Sequence, residues 1–209
     1  MKTRIFNLII LDESGSMSSI EQEAISGVNE TIQTIRAAQK KYEEQEHFVT
    51  LVSFNSASVK SIYDCLEVGK VKELTSKEYI PACCTPLYDA MGDSLTKLQK
   101  MVAEKDKVLV TVITDGYEND SHEYNGSTIK GLVEKLKQKG WVFTYIGANQ
   151  NSQEVAFNIS INNVMNFQTT PTGTHEMFTK ENKSRMNWFT KVSQGCQNLS
   201  ENFFEDENM

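Results

Sequence analysis

The sequence has too few soft or nitrogen ligands, too clustered in none of the usual ways, to build a transition-metal centre. Its four cysteines, Cys65, Cys83, Cys84 and Cys196, show no C-x-x-C spacing, which argues against structural zinc. His47, His122 and His175 are scattered along the chain, so no nitrogen-rich set forms. Basic residues are also in deficit: 21 Lys and Arg stand against 28 Asp and Glu, a net charge of −7. Lys70, Lys72 and Lys77 are spread out, and Lys130, Lys135, Lys137 and Lys139 read as one solvated helix face. The footprint that nucleic acid requires is therefore missing. No apolar run approaches the roughly 18 residues of a membrane span. The opening MKTRIFNLIIL has two cations before an apolar run, but Asn7 and Asp12 interrupt it and no small-x-small cleavage site follows. It reads as a first strand, and the thiols then imply a reducing compartment, the cytoplasm.

What is present is an alternation of strand-length apolar runs with helix-period segments. RIFNLIIL (4–11), HFVTLVSFN (47–55), KVLVTVITDG (107–116) and WVFTYIGA (141–148) are nearly continuous in apolar residues, the mark of strands buried on both faces. SVKSIYDCL (58–66) alternates and follows the second run too closely for a helical crossover, so it is an antiparallel edge strand. Ile20, Ala24, Val28, Ile32, Ile35 and Ala38 step by three and four, which predicts a helix to about Lys41, with Ser18 and Glu21 as a capping box. Leu87, Met91, Leu95, Leu98 and Val102 mark a second helix behind Pro86. Ile129 to Leu136 mark a third, ending at Gly140. A short helix, an edge strand NVMNF and a closing helix from Thr174 to about Gln194 complete the pattern, with Trp188 and Phe189 as core.

This order predicts an α/β fold: a Rossmann-like, doubly wound, mainly parallel sheet of about six strands in the order 3-2-1-4-5-6, flanked by helices. Residues 1–195 make one domain, and 196–209 an acidic, flexible tail. Ligands of such sheets sit outside the carboxyl ends of the strands, where the order reverses. The first and fourth strands end there in Asp12 and Asp115.

After Asp12 come Ser14, Gly15 and Ser16. Three alternating oxygens around a turn, with glycine for backbone freedom, suit a small hard cation with octahedral oxygen coordination. Each residue also has an ordinary role: Asp12 in a turn, Ser14, Ser16 or Thr85 as helix caps, Asp115 beside Gly116 as a turn acid.

The residues together resemble the von Willebrand factor type A domains, in particular small stand-alone bacterial members. DESGS after an apolar strand matches their D-x-S-x-S motif, CTPLYDA (84–90) their threonine loop and VITDG (112–116) their aspartate loop, in family order. The likeness covers residues 4 to 168. It implies a metal-ion-dependent adhesion site in which Ser14, Ser16 and Thr85 offer hydroxyls, and Asp12 and Asp115 act directly or through water. It implies Mg²⁺, or Mn²⁺ or Ca²⁺, and a protein partner whose acidic side chain completes the metal shell. The chain departs from the pattern at Cys83 and Cys84, where small members often carry glycine; the pair reads as small packing residues. Asp89 and the acids of GYENDSHE (116–123) read as solvated loop acids rather than a second metal site.

Two functions fit: a non-catalytic, cation-dependent protein-binding module, or a Mg²⁺-dependent phosphoryl hydrolase using the strand-end aspartates. Haloacid-dehalogenase-like phosphatases want a second acid where Ser14 stands. A serine hydrolase would need G-x-S-x-G, and a P-loop is absent. The binding module is the expected function.

Overall fold

The computed structural model describes residues 2–148, 151–200 and 202–204. Strand β1 (Thr3–Asp12) leads through a 3₁₀ turn (Gly15–Ile20) into α1 (Glu21–Lys41). Then follow β2 (Gln45–Asn55), β3 (Ser58–Glu67), α2 (Leu87–Gln99), β4 (Lys107–Thr114), α3 (Gly126–Gln138), β5 (Val142–Ala148), α4 (Ser152–Asn158), β6 (Asn163–Phe167) and α5 (Pro171–Ser193). The sheet order is β3-β2-β1-β4-β5-β6. All neighbouring strands are parallel except β2 and β3. The α/β architecture, the strand order and the antiparallel edge agree with the sequence pattern.

Period-two alternation along β1 divides the core. Ile5, Ile9 and Leu11 pack with Val28, Ile32 and Ile35 of α1 and Phe178 and Phe189 of α5. Phe6, Leu8 and Ile10 pack on the other side with Met91 and Leu95 of α2 and Ile129 and Val133 of α3. Trp188 and Phe189 are buried, as expected. The sheet is thus covered on both faces, and its carboxyl edge is left to loops.

Three local expectations are corrected. The capping box at Ser18 and Glu21 does not form: Ser18 lies inside the 3₁₀ turn and its hydroxyl donates to the Gly15 carbonyl at 2.7 Å. In a 3₁₀ turn positions three apart eclipse, so Met17 and Ile20 are both buried, and this burial takes the chain past the predicted cap. The closing helix starts earlier than expected, at Pro171, because the Thr170 side chain caps it by accepting from the Gly173 N–H at 3.1 Å. The segment after α5 is not free throughout. Leu199 and Phe203 are buried, and Trp188 Nε1 donates to the Leu199 carbonyl at 3.1 Å. The rest of the expected tail, 201 and 205–209, lies outside the described residues.

Beneath α5 the core contains charge. Arg185 has no exposed surface. It donates to Glu181 Oε1 at 2.8 Å, Asn7 Oδ1 at 3.0 Å and Thr111 Oγ1 at 2.8 Å. Burial, with the nearby Arg185 charge second, pushes the His47 imidazole down to about 3, so it is neutral at physiological pH.

Helix α5 reaches α1 because Gly27 has no side chain: a methyl placed there would fall inside the Phe178 ring. Gly131 in α3 has nothing within 4 Å of the same position. Alanine in a helix is favoured over glycine by about 1 kcal/mol, whereas overpacking costs about 1–3 kcal/mol. Gly131→Ala should therefore raise the melting temperature. Gly27→Ala should lower it, by roughly 2–4 °C per kcal/mol for a domain of this size. Calorimetric melts of both variants check this, and equal shifts would contradict the assigned packing.

Candidate functional site

At the carboxyl ends of β1 and β4 the five expected residues come together. Asp12 is the last residue of β1 and is fully buried. Its Oδ1 accepts the Ser14 N–H at 2.7 Å, and its Oδ2 accepts the Thr114 hydroxyl at 2.6 Å. The Ser14 and Ser16 hydroxyl oxygens lie 3.1 Å apart. Ser16 donates to Asp115 Oδ1 at 2.5 Å. Thr85 joins across Gly116: a Cβ built on that glycine would stand 3.4 Å from Thr85 Oγ1 and 3.8 Å from Ser16 Oγ.

These groups are not occupied as caps. Ser14 holds the position before the 3₁₀ turn but makes no side-chain cap bond, and α2 is preceded by Pro86 with none either. The Ser14 and Ser16 hydroxyls face the two acids instead, and the Thr85 hydroxyl lies beside Ser16.

The loops are held by residues that the sequence pattern did not single out. Asn119 brackets Thr85: its Oδ1 accepts the Thr85 N–H at 2.8 Å, and its N–H donates to the Thr85 carbonyl at 3.2 Å. Glu13, fully buried, accepts from Lys60 Nζ at 2.8 Å and the Ile80 N–H at 2.7 Å. It thereby ties the β2–β3 hairpin and the loop before α2 to the end of β1. Thr114 was missed too, although a hydroxyl directly before Asp115 was a signal that could have found it. Glu13 carried no signal, because an acid in a loop ordinarily faces water, and Asn119 none, because it is an exposed amide like many others.

The neighbouring acids work as loop clamps. Asp89 accepts backbone N–H groups from His122, Glu123 and Tyr124 at 2.7–3.0 Å. Glu118 accepts from Tyr88, Asp120 and Ser121. The packing role expected of Cys83 and Cys84 is corrected: both are exposed. Cys83 is in the left-handed region at φ 65°, and its carbonyl accepts the Gly15 N–H at 3.0 Å. The loop turns its thiols outward because its backbone is committed to Gly15 and Ser56.

Burial pushes the Asp12 carboxyl up to about 6. The Thr114 and Ser14 hydrogen bonds oppose that shift, and the Asp115 charge adds to it. Burial likewise raises Asp115, against the Ser16 hydrogen bond. Among the described residues neither acid has an ion-pair partner. No three His, Cys, Asp or Glu side chains among the described residues form a metal cluster; the set here is two acids and three hydroxyls. Two buried carboxylates short of positive charge, beside neutral oxygen donors, fit a hard divalent cation.

No protein-family model and no curated protein matches the chain. Solved structures do match. The vWF domain of the type V pili tip protein Mfa5 from Porphyromonas gingivalis superposes with TM-score 0.60 at 10% identity, covering 94% of this chain and 97% of that one. The SpRpn10 VWA domain gives 0.56 at 12%, covering 84% and 94%. The fold is von Willebrand factor A-like. The PilB minor pilin from Streptococcus sanguinis gives 0.65 at 14%, covering 92% of this chain. The chain spans 64% of that pilin's length. At these identities the likeness is one of fold.

The raised Asp12 has a consequence for the metal-free protein. Its folded pKa of about 6 exceeds the ordinary 3.8. Its protonated form therefore adds stability that is fully present below about pH 4 and lost as pH rises through about 6. At about 1.4 kcal/mol per pH unit the effect is on the order of 3 kcal/mol. Asp12→Asn removes this titration. The stability of wild type minus variant, measured by denaturant unfolding in EDTA, should fall by on the order of 2–3 kcal/mol between pH 4 and 7. The subtraction cancels His47, which shifts stability the opposite way. Parallel pH profiles would show that Asp12 is not held in this environment.

Proposed function

We propose that this cluster holds a divalent cation, Mg²⁺ or alternatively Mn²⁺ or Ca²⁺, and that the protein is a non-catalytic, cation-dependent binding module for a partner protein. Ser14, Ser16 and Thr85 would supply hydroxyls, with Asp12 and Asp115 direct or water-linked. The observation that carries the reading is the gathering of three hydroxyls, none capping a helix, beside two buried acids that have no ion-pair partner among the described residues. Neutral ligands leave the ion under-neutralised, so an incoming carboxylate gains more there than at a carboxylate-saturated ion. The adhesion-site likeness of the three loops supports the same role, as does the A-like fold.

The hydrolase alternative is disfavoured by the state of Asp12. In-line attack needs an aspartate oxygen open to substrate, whereas Asp12 is fully buried with each oxygen accepting a hydrogen bond, a setting compatible with a lone pair turned to a small ion or its water but not with a phosphoryl group. No turnover of a generic phosphomonoester is expected with Mg²⁺. We place the protein in the cytoplasm, a reading that four free cysteines support.

Metal should bind modestly and stabilise modestly: at about ten times the dissociation constant it adds roughly 1.4 kcal/mol. The fold should therefore survive EDTA. Asp12→Ala and Thr85→Ala should each weaken Mg²⁺ binding about tenfold or more, a loss of about 1.4 kcal/mol, with native circular dichroism. Titration calorimetry showing unchanged affinity in both variants would refute the site.

A further inference from the structure

Two of the four thiols are consecutive and open to solvent, and the cation reading makes no use of them. Cys83 and Cys84 are both exposed. Cys65 is half-buried, with its Sγ 3.5 Å from Met101 Sδ, and Cys196 lies beyond the end of α5. In extended chain, consecutive side chains point to opposite faces. Cys83 breaks that alternation, since its φ of 65° lies in the left-handed region, and both residues end on the solvent side. The inner side of the loop is taken by main chain. The Cys83 carbonyl accepts the Gly15 N–H at 3.0 Å, and the Cys84 N–H donates to Ser56 Oγ at 3.1 Å. The Cys84 carbonyl accepts the Ser56 N–H at 3.2 Å.

The Cys83 carbonyl and the Cys84 N–H belong to one peptide unit, which thus bonds Gly15 at one end and Ser56 at the other. Gly15 stands between Ser14 and Ser16, and Thr85 follows Cys84. All three hydroxyl residues of the cluster therefore adjoin positions that this peptide fixes. An S–S bond between Cys83 and Cys84 would close a ring containing the same peptide unit. Consecutive Cα atoms are about 3.8 Å apart, whereas the Cα atoms of a disulfide are usually about 4.4–6.8 Å apart. The ring can form only if the peptide rotates, and rotation takes it away from Gly15 and Ser56. Disulfides that are strained or exposed are the labile, regulatory ones.

We propose that Cys83 and Cys84 form a reversible modification site, oxidised by a low-molecular-weight disulfide, and that its closure and cation binding oppose each other. This rests on the cation-dependent reading above. First, the sulfur of one cysteine attacks the small disulfide. A mixed S–S bond forms, the small S–S bond breaks, and one small thiol leaves with the cysteine's proton. The neighbouring sulfur then attacks the cysteine sulfur of the mixed disulfide. The Cys83–Cys84 bond forms, the mixed bond breaks, and the second small thiol leaves with the other proton. The protein dithiol is oxidised by two electrons and the small disulfide is reduced by two. Rotation of the shared peptide releases Gly15 and moves Thr85, which pulls the hydroxyls out of their common setting. By linkage, an ion that holds the loop in its reduced geometry resists closure by the same factor.

The test equilibrates the full chain in mixtures of reduced and oxidised glutathione, with Mg²⁺ or EDTA, followed by acid quenching, alkylation and peptide mapping. A closed pair appears as a Cys83–Cys84 peptide that carries neither alkyl group nor glutathione. The pair should close as oxidised glutathione rises, with a closure constant about tenfold lower in saturating Mg²⁺ than in EDTA. By calorimetry the closed chain should bind Mg²⁺ about tenfold or more weakly than the reduced chain, and dithiothreitol should restore the affinity. In the double variant Cys83→Ser, Cys84→Ser, oxidised glutathione should not change Mg²⁺ affinity. A fall there would trace the effect to Cys65 or Cys196 and overturn the proposal. Mixed disulfides without closure at any ratio would also overturn it, as would a closed chain that binds Mg²⁺ as tightly as the reduced one. Each of these results leaves the cation reading standing where the reduced chain binds Mg²⁺. A reduced chain that binds no Mg²⁺ would overturn both.

Discussion

The site depends on one pairing, that of β1 with β4. These strands have no direct connection, yet they lie side by side in parallel register from Ile5 opposite Lys107 to Leu11 opposite Ile113. That register carries the Thr114 hydroxyl to Asp12 Oδ2 and sets Asp115 at the same edge. A slip of one residue would exchange the faces of every side chain. It would turn Ile5, Ile9 and Leu11 away from α1 and α5, so the core fixes the register. The geometry of the acids is therefore a consequence of apolar packing on both faces of the sheet, and the loops need only bring hydroxyls to a position already set.

How much of this was legible follows from where the information resides. Strands buried on two faces announce themselves as continuous apolar runs, and the chain's alternation of strand and helix fixes the connectivity. That is why the sheet order, and Asp12 and Asp115 at its carboxyl edge, could be read from the sequence; Ser14 and Ser16 were legible in the turn, and Thr85 only through the resemblance of its loop. What was illegible depended on burial that only the tertiary structure creates. Glu13 reads as a loop acid, yet it has no exposed surface and clamps two loops. Cys83 and Cys84 read as packing residues, yet their backbone is committed and their thiols face outward. Ser18 and Glu21 spell a cap, but burying Met17 and Ile20 together required a 3₁₀ turn there.

Helix α5 shows the same limit in energetic form. Its sequence is largely polar, yet Glu181, Ser184 and Arg185 are buried. A guanidinium without water is tolerable only when its donors are matched, and Glu181, Asn7 and Thr111 match them. Asn7 interrupts the apolar run of β1, and Thr111 the run of β4. Each is one contact of a charge inserted from the last helix of the chain. A buried pair of this kind is weak evidence for stability. Its clearer effect is to align α5 on the sheet, since Arg185 finds these partners in one position only.

The two polar sites of the sheet differ in how charge is balanced. Beneath α5 the positive charge is supplied by the chain, and the acid and the amide accept from it. At the carboxyl edge the chain supplies negative charge and neutral hydroxyls, with no ion-pair partner for either acid among the described residues, and burial raises both carboxyls. Protonation relieves that imbalance at low pH; at neutral pH a bound cation would relieve it without distorting β1 or β4. Because the hydroxyls bring no charge, an ion held there retains attraction for one more anion. The two sites thus use the same sheet in opposite ways: one closes a charge inside the core, and the other leaves two acids at the strand ends whose charge the neighbouring hydroxyls do not offset.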